Sequence, residues 1–122
     1  MSKDIQELKI CCLSVPLNEK GIIEHEIDLS LEPDDLFELN FNWKQYDELD
    51  PVFWEWNDKF DLLIDIFEDE TLPPEKTREA MEILERHMRE RKDEPKFIEA
   101  AEILKTAPLK AIELNMPLYL DF

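Results

Sequence analysis

Phe37-Glu38-Leu39-Asn40-Phe41-Asn42-Trp43 alternates apolar and polar residues, and a little further on Phe53, Trp56, Phe60, Leu63 and Phe67 recur at intervals of three and four. Period two belongs to a half-exposed strand and period 3.6 to an amphipathic helix, so the chain changes structural type within residues 37–67. That change divides the sequence into a β-rich part, 1–46, and a helical part, 47–115.

Upstream, Lys9 to Val15 is a nearly continuous apolar run closed by Pro16 and the turn-like Asn18-Glu19-Lys20-Gly21. It predicts a buried strand and a hairpin loop. Ile23, His25, Ile27, Leu29 and Leu31 then alternate with Glu24, Glu26, Asp28 and Ser30, which predicts a half-exposed second strand. Glu32-Pro33-Asp34-Asp35 is the turn into the third. The expectation is a three-stranded antiparallel meander. With an odd-numbered loop its register sets Asp28 opposite Asn40 and Glu26 opposite Asn42, giving an acidic, amide-rich solvent face.

Downstream, Asp50-Pro51 has the form of a helix start and predicts a helix over 51–68. Leu72-Pro73-Pro74 breaks the chain and opens a second helix over about 74–92, with Ala80, Met81, Leu84 and Met88 inward and Glu82/Arg86 and Glu85/Arg89 pairs outward. Asp93 is positioned to cap a third helix over about 95–106, with Phe97, Ala101 and Leu104 inward. Thr106-Ala107-Pro108 predicts another break and a short helix to Asn115. The alternating tail at 117–122 offers a C-terminal edge strand. Residues 1–122 therefore read as one α+β domain, a small antiparallel sheet covered on one face by three to four helices.

Thirty-one acids against fourteen bases give a net charge of −17, while 43% of residues are hydrophobic and ten per cent aromatic. Disordered acidic chains lack that apolar content, so the charge is carried on a folded body. It is unevenly placed. Residues 71–96 hold seven acids and seven bases, whereas residues 47–70 hold ten acids and one base. On a helix continued to residue 68, Asp58, Asp61, Asp65 and Glu68 form a one-sign ridge opposite the apolar stripe, with Trp54 on the same ridge and Asp69 just beyond it. A charged outer face is commonly a solvated surface, but unpaired like charges cost stability that residues 75–92 avoid by mixing signs. Trp54 is either packed beneath a loop or the sheet, or an aromatic anchor within an acidic interface.

Several chemistries find no support. One glycine in the chain excludes the Gly-rich phosphate-binding loops. His25 and His87 lie on or near apolar faces and read as structural. Neither joins a metal-ligand spacing, and adjacent Cys11 and Cys12 point to opposite faces of a strand, which disfavours a bridge and favours a reducing compartment. No catalytic, cofactor-binding or metal residues are expected, and the chain is not expected to be an enzyme. Phosphate backbones would be repelled, so nucleic acid is not expected as a partner. The charged first nine residues and the short apolar stretch 10–17 offer no membrane segment, so the expected location is cytoplasmic.

The size, the acidity, Asn42-Trp43-Lys44-Gln45-Tyr46-Asp47, the stretch from Phe53-Trp54-Glu55-Trp56 to Phe67-Glu68-Asp69-Glu70, and the ending Met116-Pro117-Leu118-Tyr119-Leu120-Asp121-Phe122 together give a resemblance. The chain resembles the small acidic immunity proteins of bacterial contact-dependent and polymorphic toxin systems. The resemblance implies a cytoplasmic antitoxin that covers the active site of a cognate toxin domain. A nuclease toxin must be basic to hold its substrate, so an acidic inhibitor captures it rapidly. The expected partner-binding surface is Trp54, Asp58, Asp61, Asp65, Glu68 and Asp69, with the sheet face Glu24, Glu26, Asp28 and Glu38 as second choice. The alternative is a phage-type DNA mimic or anti-restriction inhibitor of a DNA-binding protein, which needs carboxylates spaced like phosphates along an extended surface.

Overall fold

The elements follow in the order β1 (Ile10–Pro16), α1 (Glu19–Glu26), β2 (Leu36–Asn42), α2 (Trp43–Phe60), β3 (Asp69–Leu72), α3 (Pro74–Glu90), α4 (Pro95–Leu114) and β4 (Leu118–Asp121). This is a computed structural model, which describes residues 10–26, 35–65 and 68–122. The strands form one antiparallel sheet in the order β2-β1-β4-β3. The α+β class is as the sequence predicts.

One face of the sheet carries the core. Cys11, Leu13 and Val15 of β1, Leu118 and Leu120 of β4 and Leu72 of β3 are fully buried there together with Trp56 of α2, Leu84 of α3 and Leu104 of α4. The C-terminal Phe122 packs edge-on to Phe41 and Tyr46, with ring centroids 5.5 Å away in each case. These aromatic contacts tie α2 and β2 to the C-terminal residue, and edge-on geometry is favoured by the ring quadrupoles.

The first third differs from the predicted meander. Residues 19–26 are helical, because Asn18 Oδ1 accepts the Gly21 N–H (3.0 Å) and thereby nucleates a turn where a hairpin loop was expected. Ile22 is half-buried and Ile23 is exposed, the reverse of the alternation that a strand requires. The helix start lies so close to the chain entering β2 that a Cβ on Gly21 would stand 2.2 Å from the Asp35 carbonyl oxygen. Glycine is needed there for space. β1 consequently pairs with β2 across a helical crossover, with Asn40 opposite Cys12 and Asn42 opposite Ile10, replacing the register through Asp28 and Glu26. The remainder of the expected second strand, 27–31, lies outside the described residues.

α1 covers part of the other sheet face. His25 stacks on Tyr119 at 3.5 Å with an interplanar angle of 5°, and its Nε2 lies 2.8 Å from Asp121 Oδ2. Cys11 is buried and Cys12 half-buried, and neither is in a disulfide; burial, then the charges of Glu38 and Asp121, push Cys12 up to about 11. A thiol held there stays protonated and poorly nucleophilic at neutral pH.

The helical boundaries also move. α2 begins eight residues before Pro51, because Asn42 and Gln45 form a reciprocal capping box: each side-chain oxygen accepts the other's backbone N–H at 2.9 Å. Pro51 is inside the helix, where it removes one backbone bond, and the buried series Tyr46, Leu49, Phe53, Trp56 and Phe60 carries the helix through it. α4 likewise continues through Pro108, which is itself buried with Leu104, Ala107 and Ala111, so the break expected there is absent. Its N-cap is Glu94, without a side-chain cap bond, in place of Asp93. Arg86 pairs with Glu55 and Glu90 rather than with Glu82. β4 is an interior strand, since Leu118, Tyr119 and Leu120 are all buried, and β3 is an additional strand that takes the edge position.

α2 ends at Phe60 because Asp61 adopts the left-handed conformation (φ 55°, ψ 48°), its N–H bonding to the Asn57 carbonyl. An aspartate there is doubly disfavoured, by its Cβ in that conformation and by its negative charge at the negative end of the helix. Asp61→Gly is expected to raise stability by about 1 kcal/mol, or roughly 3 °C in Tm, in a thermal scan.

Candidate functional site

Asp50, Trp54 and Asp58 are four residues apart along α2, so they stand in one row on its surface with the indole between two carboxylates. Trp54 is 70% exposed. Facing this row is the chain that leaves α2. Beyond Asp61, the Leu62 N–H bonds to the Asn57 carbonyl (3.1 Å), a Schellman-type closure that turns the backbone against the helix. The Asn57 side chain then holds the returning strand on both sides, accepting the Ile64 N–H at 2.7 Å and donating to the Ile64 carbonyl at 3.1 Å. Glu70 Oε1 takes the Leu63 N–H (3.1 Å). With its backbone fixed in this way, Ile64 is buried, whereas Leu63 is turned outward and 71% exposed.

Between helix row and loop lies a depression of about 440 Å³, lined by Tyr46, Asp50, Trp54, Asn57, Asp58, Leu62, Leu63, Ile64 and Asp65. Among the described residues three carboxylates line it and no Lys, Arg or His does. Lys59, the one base in residues 47–70, is directed to Glu79 (3.2 Å). Tyr46 donates to Asp65 Oδ1 across 3.3 Å; burial first, and the Asp65 charge second, hold its phenol above the usual range. Asp50 is likewise raised, by burial and then by the Asp47 and Asp65 charges, while a hydrogen bond from Trp54 acts in the opposite direction. Burial is the first cause of both shifts, and the neighbouring carboxylates add to it with the sign of a negative potential, which an arriving cation relieves.

Of the residues expected from the sequence, Trp54, Asp58 and Asp65 meet in this depression. The ridge that was to join them is not a helical one, because α2 stops at Phe60. Asp61 is exposed at the helix end, and Glu68 and Asp69 are exposed beyond the depression, Asp69 in β3 opposite Asp121. Asp50 and Leu63 complete the site. Sequence reasoning assigned Asp50 to a helix cap and Leu63 to the core; the i, i+4 spacing of Asp50 from Trp54 was the signal for the first.

On the second-choice face, Glu38 is exposed on β2 opposite Ser14. Glu24 and Glu26 belong to α1 instead of a strand, and Asp28 lies outside the described residues. A second depression, of about 450 Å³, mixes Lys44 and Lys96 with Asp47, Glu48 and Glu99 and therefore has no single sign. His87 is buried and its Nε2 lies 2.9 Å from Glu55 Oε1; hydrogen bonding from Arg86 above all holds Glu55 below its ordinary range. That cluster ties α2 to α3. Among the described residues no three His, Cys, Asp or Glu side chains are grouped to hold a metal ion, and no helix is long and apolar enough to cross a membrane.

Comparison with protein-family models, with characterised proteins and with solved structures found no match.

Proposed function

We propose that this chain is an immunity protein: a cytoplasmic antitoxin that binds a basic toxin domain of nuclease type and covers its active site. The observation that carries the reading is the depression of one charge sign with two large apolar side chains, Trp54 and Leu63, exposed at its rim. Solvated helix faces do not need an exposed tryptophan. Binding surfaces do, because aromatic anchors supply most of the affinity while surrounding charges set the approach rate. A DNA mimic is less well supported, since the patch is compact and partly apolar, unlike a row of phosphates.

The direct test uses the basic domain encoded at the end of the adjacent upstream reading frame. A stoichiometric amount of this chain is expected to abolish that domain's activity and to co-elute with it in gel filtration. No basic domain at that locus, or full activity in the mixture, refutes the reading. Replacing Asp58→Lys together with Asp65→Asn is expected to slow association about ten-fold at low salt, measured by stopped flow. Asn at 65 keeps an acceptor for the Tyr46 hydroxyl. Asp61 is a poor choice for charge reversal because its left-handed backbone would mix strain with electrostatics.

A further inference from the structure

We infer that the depression between Trp54 and the Leu62–Asp65 loop receives one arginine side chain of the partner, stacked on the Trp54 indole and forked onto the Asp58 carboxylate. The inference rests on reading the chain as a binder of a basic protein, and it names the group that enters.

The row Asp50, Trp54, Asp58 is the main argument. Residues four apart on a helix are about 6 Å apart along its axis, so the indole stands between Asp50, whose carboxylate accepts a hydrogen bond from Trp54, and Asp58 one turn on. A planar cation laid on the indole face directs its N–H edge toward Asp58. Guanidinium meets both demands at once, being flat, permanently charged and weakly hydrated. An ammonium is a compact, strongly hydrated point charge that stacks less well and forks not at all. The opposite wall supplies the remaining complement, since exposed Leu63 with Leu62 offers apolar surface to the methylene stem.

Charge complementarity favours the same occupant. Among the described residues the lining carries three carboxylates and no base, and Asp50 is raised by burial and then by the Asp47 and Asp65 charges. The walls are also set before anything binds, because Asn57 clamps Ile64 from both sides and Glu70 fixes Leu63. A prearranged wall costs little ordering entropy on binding.

The test is a nitrogen-15 NMR titration of the full chain with acetyl-Gly-Arg-Gly-amide, with lysine and citrulline analogues in parallel. The arginine peptide is expected to move the Trp54 indole N–H signal saturably and to leave that of buried Trp56 in place. It should bind about two- to five-fold more tightly than the lysine peptide, and the citrulline peptide should not bind. Trp54→Ala and Asp58→Asn should each weaken the arginine peptide by a similar factor. An unmoved Trp54 signal, equal binding of lysine, or equal binding of citrulline overturns the proposal. If that happens while the toxin domain still binds, the anchor lies elsewhere and the wider reading stands. If the peptide seats as described but the toxin domain is not bound, the immunity reading alone fails.

Discussion

Trp54→Ala is expected to weaken binding of the basic toxin domain by about 30-fold, roughly 2 kcal/mol, and to leave Tm within about 1 °C of the parent. The two halves of this result come from one fact. A side chain that is 70% exposed contributes little to folding, so its removal opens no cavity. In a complex the same indole is desolvated between Asp50 and Asp58, where it supplies area, stacking and attraction for a cation. Titration calorimetry reads the affinity and a thermal scan the stability. Unchanged affinity removes Trp54 from the interface, and a large fall in Tm assigns it a structural role instead.

Trp56→Ala is expected to behave in the opposite sense, costing about 3–5 kcal/mol of stability. Trp56 is two residues away on the same helix, yet it is fully buried, packs edge-on to Phe53 at 5.7 Å and donates its Nε1–H to the Ala80 carbonyl at 3.1 Å. Truncation therefore empties the junction of α2 with α3. Domains of this kind have about 5–15 kcal/mol in hand, so much of the folded population is at risk. Urea unfolding measures the loss. A cost below about 1 kcal/mol would show that the core collapses around the gap. Trp56→Phe should be milder, because volume is largely kept and the Ala80 carbonyl remains within the helical hydrogen-bond ladder.

The burial of Trp56 was legible in the sequence, because it lies on the apolar stripe of one strongly periodic helix, whereas for Trp54 the sequence left packing beneath a loop and exposure both open. The α+β class was legible for the same reason, resting on the change of period between Phe37 and Phe67. Asp65 is instructive in another way. It reaches the site through the Asn57-clamped loop, whereas the sequence placed it on a helix that in fact ends at Phe60. A left-handed aspartate has no local signature that separates it from a helical one. The start of α2 was obscured by Asp50-Pro51, although Tyr46 and Leu49 already continue the stripe of Phe53 and Trp56 backward.

Elsewhere the deciding partners are remote. Asp69–Leu72 has a single apolar residue and becomes a strand only because β4 lies beside it. β4 gains its interior position because β1 and β3 flank it, and Leu118-Tyr119-Leu120 is a continuous apolar run more than an alternation. For α1, period two in Ile23 to Leu31 competed with the local capping of Gly21 by Asn18, and capping prevailed over residues 19–26. Short alternating runs without a fixed partner are open to such competition.

The most direct measurement of the central claim is the association rate of this chain with the toxin domain as a function of sodium chloride. Attraction between an acidic depression and a basic surface predicts a rate that falls at least about ten-fold from low to physiological ionic strength, with a shallower slope for the Asp58→Lys, Asp65→Asn variant. A rate independent of salt, or the same slope in the variant, would contradict it.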